Sequence, residues 1–343
     1  MNMPLVYVII LNFNGKRYLN ACLSSVILQT YPNCKTIVCD NASTDDSVKF
    51  VTDTFPSITL IRLTKNLGFA EGNNLAIKFA LNHKADYVFL LNNDTTVDRD
   101  VLEKLINTAE NDSSIGIIAP AIFDLTNQSS VQEMGMAIDK FGYPLAVKNH
   151  NENSLCTFFV SGSAMLIKSE LIRRIGLFDE RYFMFAEDLD LCWRAQLAGC
   201  KIAVNPSVKI YHASGASISG GVVKGSSYET NVRRVFLRER NTLRTLIKNY
   251  SLSNIVKVVP FYTVLLSVES AFWFLINRPK VAENILKAIF WNLKSFPDTI
   301  RERALIQRLR VVNDCAIVEK MVKGYCKVTI FRTVGIPNFN SSS

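Results

Sequence analysis

Acidic side chains stand at two places in the sequence where they could take part in chemistry. The first is Asp94, which follows an apolar run at 87–91 and lies between Asn93 and Thr95. A hard carboxylate of this kind is a preferred ligand of Mg²⁺ or Mn²⁺. An aspartate that follows a strand is also a common helix N-cap, so a capping role for Asp94 is the alternative.

The second place is a predicted helix start that carries Glu187, Asp188 and Asp190. Carboxylates in a first helical turn interact favourably with the helix dipole, by about 0.3–1 kcal/mol each, and this is the structural alternative. Closely spaced carboxylates also raise the proton affinity of at least one of them, which is how a general base is tuned. Asp188 and Leu191 fall on one helical face, so we expect Asp188 to emerge beside the sheet.

Two further residues could complete such a site. His212 is one of 3 histidines and ends a predicted strand, so it is a candidate second metal ligand. A lone histidine can equally be structural, and that alternative stays open here. Arg194 follows the acidic segment and could pair with an acid or with a diphosphate.

The elements that must position these residues alternate along the first part of the chain. Apolar runs predict strands, and apolar residues with helical periodicity predict the helices between them. The predicted strands are 5–11, 36–39, 58–63, 87–91 and 115–119, and the predicted helices are 18–27, 45–54, 69–82 and 96–111. This alternation predicts an α/β fold with a doubly wound, mostly parallel sheet, whose ligands bind at the carboxyl ends of the strands.

Polar residues follow four of these strands and would share that edge of the sheet. Taken singly, each cluster could be a turn or a helix cap; we expect Gly15 only to turn the chain and 43–45 to cap the next helix. Together the clusters predict one ligand site. The residues expected there, besides Asp94, are Asn12, Asn14, Asp40, Asn41, Asn66, Gly68, Asn73 and Asn93.

The segment 121–223 has more strand signals than helix signals. Strands are predicted at 131–138, 157–167, 201–204 and 208–211, with one helix at 186–197. The stretch 213–227 is rich in Gly and Ser and predicts a loop beside the site, either a lid over a substrate or a plain linker.

Composition separates two parts of the 343-residue chain. With 48% apolar and 20% charged residues the chain can bury a large core, which excludes wholesale disorder. Residues 1–223 hold 19 basic and 22 acidic side chains, whereas residues 224–343 hold 20 basic and 8 acidic ones. The basic part predicts an anionic partner. The 8 cysteines form no C-x-x-C pair and indicate a reducing compartment, and the N-terminus lacks the pattern of an export signal, so we expect folding in the cytosol.

The basic C-terminal part is predicted to be helical over 229–322. Its segment 255–276 is almost entirely apolar but contains Lys257, Pro260 and Glu269. It could span a membrane, lie buried in the protein or lie in a membrane interface. The surrounding positive charge and aromatic residues favour the interfacial arrangement. No motif typical of nucleic-acid recognition accompanies the positive charge, so we do not expect a nucleic-acid partner.

Several motifs in order resemble glycosyltransferase family 2, and most closely its rhamnosyltransferase-like branch. The motifs are LNFNG at 11–15, QTYP at 29–32, VCDNASTD at 38–45, NLGF at 66–69, GNN at 72–74, LNNDT at 91–95, IGLFDE at 175–180, FAEDLDLCWR at 185–194 and YH at 211–212. The resemblance implies a GT-A fold and an inverting transfer from a nucleotide-diphospho-sugar that requires Mg²⁺ or Mn²⁺. The Q-x-x-R-W motif of processive synthases is missing from the sequence, which favours addition of one sugar.

The resemblance also implies roles for individual residues. Asp40 resembles the residue that hydrogen-bonds the pyrimidine base, and Asp94 resembles the metal-binding acid, with Asn92 in place of the family's other acid. Asp188 resembles the catalytic base, next to Glu187, and His212 becomes the second metal ligand. The implied nucleotide-sugar-binding group comprises Asn12, Asn14, Asp40, Asn41, Asn66, Gly68, Asn73, Asn93 and Arg194.

These observations predict two domains and one activity. Residues 1–223 form the GT-A domain, with a Rossmann-like nucleotide-sugar half at 1–120 and an acceptor half at 121–223, and residues 224–343 form a helical, membrane-associating extension. The predicted enzyme transfers one sugar from a UDP- or dTDP-linked donor to a lipid-linked or cell-surface glycan at the inner face of the plasma membrane. A non-catalytic sugar-nucleotide-binding module and a sugar-phosphate nucleotidyltransferase are the alternatives. The donor sugar, the acceptor and the oligomeric state stay open.

Overall fold

The computed structural model describes residues 3–149, 155–213, 222–224 and 227–339. The chain forms two compact units. The first comprises Met1–Met136, Ala146–Met184 and Cys200–Ser217, and the second comprises Ala137–Leu145, Phe185–Gly199 and Ile218–Ser343. The domain boundary at residue 223 stays a prediction.

The first unit is built on a mixed sheet. Its strands are β1 (Val6–Asn12), β2 (Cys34–Asp40), β3 (Thr59–Arg62), β4 (Tyr87–Asn92), β5 (Thr95–Val97), β6 (Ile115–Asp124), β7 (Val131–Glu133), β10 (Ala164–Lys168) and β11 (Lys201–His212). Two further strands, β8 (Met136–Ile138) and β9 (Pro144–Ala146), form a small separate sheet, and most of their residues belong to the second unit. The order in the large sheet is β3-β2-β1-β4-β10-β6-β11-β5, with β7 beside β6.

The strand directions make the sheet parallel in one half and mixed in the other. β1 to β4 are parallel, as the alternation of strands and helices predicts. β10 runs antiparallel to both β4 and β6, while β11 is parallel to β6 and antiparallel to β5. The strand β1 is almost wholly buried, as expected of a continuous apolar run covered on both faces.

The helices of the first unit follow the sequence periodicity. They are α1 (Lys16–Ile27), α2 (Ser47–Thr54), α3 (Gly68–Asn82), α4 (Val101–Asn111) and α5 (Ser169–Ile175), with a 3₁₀ turn at Glu180–Tyr182. In α1 the buried residues Leu19, Cys22, Leu23 and Val26 show the spacing of one helical face. The N-cap of α2 is Asp46 and not a residue of the segment 43–45 that was expected to cap it, although Asp45 Oδ1 accepts the backbone N–H of Ser47 at 3.0 Å.

Several predicted elements have different bounds in the structure, and the strand predicted at 131–138 is two strands, β7 and β8, in different sheets. The predicted helix 96–111 begins only at Val101, because the β-branched segment Thr95–Val97 pairs with β11 as a strand. The two strands predicted at 201–204 and 208–211 are one strand with a register shift between Asn205 and Lys209. The strand predicted at 157–167 is regular only from Ala164.

The second unit is mainly helical. Its helices are α6 (Glu187–Leu197), α7 (Val232–Asn249), α8 (Leu252–Leu275), α9 (Pro279–Lys294), α10 (Phe296–Arg308), α11 (Asp314–Val318) and α12 (Cys326–Val334). A small sheet pairs β12 (Val222–Lys224), β13 (Ser227–Thr230) and β14 (Asn338–Phe339). The predicted loop 213–227 therefore contains strand residues, and its segments 214–221 and 225–226 lie outside the described residues, so the lid and linker interpretations stay predictions.

Candidate functional site

The carboxyl ends of the central strands bring the predicted ligand residues together. In the parallel register Asn12 is opposite Asp40, and Leu11 is opposite Asn92. Asn93 and Asp94 come directly after the last residue of β4. Three of the polar clusters therefore meet at one edge of the sheet, as the sequence predicts.

A buried hydrogen-bond network fixes the side chains at this edge. The Asn12 amide donates to Asp40 Oδ1 at 3.1 Å, and the Asn93 amide donates to Asn12 Oδ1 at 2.7 Å. The backbone N–H of Ser43 donates to the other carboxylate oxygen of Asp40 at 3.0 Å. Asn12, Asp40 and Asn93 are all buried, so the network holds their orientation rigidly.

A second cluster joins the ends of β2 and β3. The Asn41 amide donates to Asn66 Oδ1 at 3.0 Å and to the Gly68 carbonyl at 3.1 Å, while Asn41 Oδ1 accepts from the backbone N–H of Leu67 at 2.8 Å. Gly68 has φ +80, and a Cβ there would lie 2.4 Å from the Phe183 carbonyl oxygen. Glycine is therefore required at the start of α3.

Asn14 and Asn73 have different surroundings. Asn14 is exposed with φ 51, and its Oδ1 accepts the backbone N–H of Thr44 at 2.7 Å, so it bridges the loops after β1 and β2. Asn73 is buried in α3 and donates to the Phe69 carbonyl of its own helix at 2.9 Å. A nucleotide-binding role for each stays a prediction.

Gly15 does more than turn the chain, and the expectation that it serves only a turn is wrong. Its φ of −106 lies outside the left-handed region. A Cβ at this position would lie 2.0 Å from the Asn93 amide nitrogen and 2.5 Å from Asn12 Oδ1. Only glycine leaves room for the hydrogen bond between these two side chains.

Asp94 and His212 meet through strand pairing. β5 and β11 are antiparallel with His212 opposite Thr95, which brings the histidine next to the loop after β4. His212 Nε2 lies 3.2 Å from Asp94 Oδ1. Asp94 is 3% exposed, and within the described part of the chain its Oδ1 accepts no hydrogen bond. The other ring nitrogen, Nδ1, lies 3.2 Å from Gln132 Oε1, which orients the imidazole.

The acidic segment belongs to the second unit, where it starts α6. Glu187 is buried, and its Oε2 accepts no hydrogen bond from any described residue. Burial, reinforced by the negative charge of Asp188, raises the pKa of Glu187 well above its ordinary value. Asp188 is half-buried, and its Oδ1 accepts the backbone N–H of Leu189 at 2.8 Å. The two neighbouring acids therefore have different environments.

Asp190 anchors α6 rather than facing solvent. It is fully buried and accepts hydrogen bonds from Arg194 Nε at 2.9 Å, Lys248 Nζ at 3.0 Å and the Asn249 amide at 2.8 Å. Arg194 is itself buried, so of its two predicted alternatives the pairing with an acid is present. Its binding to a nucleotide sugar stays a prediction. Lys248 and Asn249 could not be predicted as partners of Asp190, because no local sequence pattern links α7 to α6.

The backbone just before the acidic segment has an uncommon conformation. Phe183, Phe185 and Ala186 have φ values of 61, 72 and 64. Left-handed residues other than glycine cost about 1–2 kcal/mol each and persist where surrounding contacts hold them, often at functional sites. The turn delivers Glu187 to the first position of α6, and no local sequence signal predicted it.

Comparison with known proteins decides the family. Residues 7–176 match the family described as Glycosyl transferase family 2. The chain belongs to glycosyltransferase family 2. The matched residues include Asp94 and the predicted nucleotide-sugar-binding residues of the first unit. The acidic segment and His212 of the enzyme follow the matched residues in the sequence.

Relatives of this glycosyltransferase include two enzymes named for rhamnose transfer. The dTDP-rhamnosyl transferase RfbF of Shigella flexneri is 26% identical over 249 residues, which are 71% of this chain and 81% of the relative. The N-acetylglucosaminyl-diphospho-decaprenol L-rhamnosyltransferase of Mycobacterium tuberculosis is 24% identical over 260 residues, which are 68% of this chain and 84% of the relative. Matches that cover 71% and 68% of this chain include the acidic segment wherever they begin. The resemblance to the rhamnosyltransferase-like branch is confirmed.

A solved structure supports the GT-A fold. GalNAc-T7, crystallised with UDP, GalNAc and Mn²⁺, superposes with a TM-score of 0.61 at 14% identity, over 86% of this chain and 58% of that chain. At this identity the likeness concerns the fold alone. The likeness agrees with the architecture of this chain, in which a large mixed sheet is followed by C-terminal helices.

The residues at the end of β4 fit a divalent cation in part. Asp94 offers a buried carboxylate oxygen without a hydrogen-bond donor among the described residues, and His212 Nε2 stands beside it. Carboxylate and imidazole are suitable ligands for Mn²⁺. No group of three or more His, Cys, Asp or Glu side chains that could hold a metal occurs in the described ranges. Two protein ligands leave coordination positions for a diphosphate and water.

Proposed function

We propose that the enzyme is an inverting, metal-dependent glycosyltransferase that moves one sugar from a nucleotide-diphospho-sugar to a lipid-linked or cell-surface glycan. The observation that carries this proposal is the pairing of buried Asp94 with partly buried His212 at the strand edge that also holds Asn12, Asp40 and Asn93. A nucleotide-binding network and a cation-binding pair on one edge are what activation of a diphosphate leaving group requires.

The donor is proposed to be a UDP- or dTDP-linked sugar. The buried Asp40 carboxylate can accept a hydrogen bond from the imide N–H of a pyrimidine base, and both bases present that same donor. Asn12 and Ser43 hold Asp40 in place for this contact. The relative from Shigella flexneri is named for dTDP-rhamnose transfer, which supports rhamnose as a candidate sugar.

Asp94 and His212 are the residues that would hold Mg²⁺ or Mn²⁺. When bound, the cation would neutralise the charge that develops on the departing nucleoside diphosphate. The chain's own contribution is to keep the Asp94 carboxylate buried and to orient the His212 ring through Gln132. Both constraints reduce the reorganisation that ligand binding would otherwise require.

Asp188 is proposed as the general base. Its carboxylate removes the proton of the acceptor hydroxyl while that oxygen attacks the anomeric carbon and the bond to the diphosphate breaks. Burial favours the protonated form of Glu187, whereas Asp188 is only half-buried and is the more accessible of the two carboxyl groups.

The acceptor is proposed to be lipid-linked, at the inner face of the plasma membrane. The relative from Mycobacterium tuberculosis is named for a diphospho-decaprenol acceptor, which supports this substrate class. Each predicted domain has its own role in this proposal. Residues 1–223 would bind donor and acceptor, and residues 224–343 would associate with the membrane.

The surface of α8 supports membrane association. Among the described residues, α8 alone is long and apolar enough to cross a membrane, and one such helix is weak evidence for a span. Only Tyr262, Leu266, Ser270 and Trp273 of α8 are buried. An exposed apolar row, which we call the α8 stripe, consists of Val256, Phe261, Val264, Val268, Phe272 and Leu275. An apolar stripe within a basic segment favours a helix lying in the interface of an anionic membrane.

Calorimetric titration with UDP, dTDP and GDP, with and without Mn²⁺, tests the proposed site. We expect UDP or dTDP to bind more tightly with Mn²⁺, and Asp94→Ala to abolish that gain. Asp98→Ala, which removes an exposed aspartate of the same chain segment, is the matched control and keeps the gain. Mn²⁺-independent binding in the wild type would contradict the role of Asp94. Unchanged sugar transfer by Asp188→Asn would contradict the role of the base.

A further inference from the structure

The helix α7 buries polar side chains over most of its length. Its buried polar residues are Glu239, Arg240, Asn241, Thr242, Arg244, Thr245, Lys248 and Asn249. Buried polar groups are costly unless they are hydrogen-bonded, so their partners indicate what such a helix is built to hold. Two groups of these partners lie in the segment that carries the proposed catalytic acids.

The first support acts on the turn before α6. The fully buried Asn241 donates its side-chain amide to the Phe185 carbonyl oxygen at 2.7 Å. Phe185 and the following Ala186 are the left-handed residues that lead directly into Glu187. A hydrogen bond to this carbonyl favours one orientation of a peptide whose conformation is intrinsically unfavourable.

The second support acts one turn further along α6. Lys248 and Asn249 both bind the buried Asp190 carboxylate, at 3.0 and 2.8 Å. Asn241 and Lys248 are two helical turns apart and therefore share one face of α7. The backbone around Glu187 and Asp188 is therefore held on both sides. Asn241 holds it before Glu187, and the hydrogen bonds to Asp190 hold it after Asp188.

We propose that Asn241 is a positioning residue for the acid pair, acting through the Phe185 carbonyl to hold the left-handed turn and keep Glu187 buried. The proposal rests on the proposed function only in naming Glu187 and Asp188 as the catalytic pair. Through this carbonyl Asn241 determines where the first turn of α6 begins. Loss of its amide would let the turn relax, which would expose Glu187 and move Asp188.

The variant Asn241→Ala removes this contact without adding a charge to the buried site. It deletes the amide that donates to Phe185, together with the oxygen that accepts from Arg240 Nε at 2.8 Å. The matched control is Asn292→Ala, because buried Asn292 makes the same kind of bond, from its amide to the carbonyls of Arg240 and Ala288 at 2.9 Å, and not to the turn before α6.

Two measurements on the full chain do not depend on knowing the substrate. Hydrogen exchange reports the opening of residues 187–190, and carbon NMR of labelled glutamate, assigned with Glu187→Gln, reports the titration of Glu187. We expect Asn241→Ala to speed exchange in that turn at least about tenfold and to lower the pKa of Glu187, since burial is the main cause of its raised pKa. Asn292→Ala should change neither.

Equal effects of the two variants in this turn would overturn the proposal. If Asn241→Ala does not fold, Asn241→Ser and Asn292→Ser give the same comparison. In a transfer assay, Asn241→Ala should lower kcat about 10- to 100-fold while Mn²⁺-dependent UDP binding stays at the wild-type value. Full transfer by Asp188→Asn would refute the catalytic role, whereas the exchange and titration results would still decide the role of Asn241.

Discussion

His212 Nε2 lies 3.2 Å from Asp94 Oδ1, although the two residues are far apart in the sequence. The contact depends on the short strand β5, which follows Asp94 directly and pairs with the end of β11. A carboxylate oxygen that lacks a hydrogen-bond donor among the described residues thereby faces an imidazole nitrogen. This pair is the structural basis of the proposed cation site.

Replacing His212 should weaken cation-dependent nucleotide binding. We expect His212→Gln to raise the Kd of UDP measured with Mn²⁺ at least about tenfold and to leave the Kd without Mn²⁺ unchanged, because only a metal ligand is lost. His83→Gln, at the C-cap of α3, is the matched control and should behave as wild type. Isothermal titration calorimetry measures both constants. Equal loss of binding with and without Mn²⁺ would assign His212 a purely structural role.

Substitution of Gly15 should disturb the nucleotide edge. In Gly15→Ala the new Cβ would overlap the Asn93 amide and Asn12 Oδ1, so we expect the Asn12–Asn93 hydrogen bond to break and UDP binding to weaken. Overpacking of this kind costs about 1–3 kcal/mol of unfolding free energy. Gly116→Ala is a useful comparison, since its Cβ would meet Leu171 Cδ2 at 2.6 Å in the core. It should lower stability without changing the UDP affinity of the folded protein.

The buried Glu187 should make stability depend on pH. Its pKa is raised in the folded state, so on raising the pH the unfolded chain loses this proton first. The free energy of unfolding therefore falls as pH rises above the ordinary carboxyl range, by up to about 1.4 kcal/mol per unit, until folded Glu187 also ionises. Glu187→Gln should remove this slope and be more stable than wild type at neutral pH. Urea unfolding at several pH values measures the effect, and exposed Glu170→Gln should retain the slope.

The α8 stripe should govern membrane binding. We expect the protein to co-sediment with phosphatidylglycerol-containing vesicles, to bind pure phosphatidylcholine vesicles weakly and to be released by high salt. Leu275→Glu, within the stripe, should weaken vesicle binding at least about tenfold. Leu28→Glu changes an exposed leucine at the end of α1 in the same way and should have no effect. Binding that survives high salt and alkaline extraction would instead indicate a spanning helix.

The strand edge could be predicted because its signals are local. The apolar run of β1 and the Asn-rich turn after it are adjacent in sequence, and parallel strands bring such turns to one edge. The helix predicted over 96–111 was wrong at its start because Thr95–Val97 is stabilised as a strand by β11, a partner remote in sequence. Local periodicity carries no information about that pairing.

Local patterns in the sequence predict the alternating α/β order, the buried strand β1, the location of Asp40 and Asp94 at strand ends and that of the acidic segment at a helix start. Apolar periodicity and strand-end polarity are short-range properties of the chain, and they follow directly from burial and hydrogen bonding. Three contacts are visible only in the folded chain: His212 meets Asp94, Gly15 makes room for Asn93, and α7 supports α6 through Asn241 and Asp190. Each of these contacts joins residues far apart in sequence, so its energy depends on how elements pack and not on any local pattern.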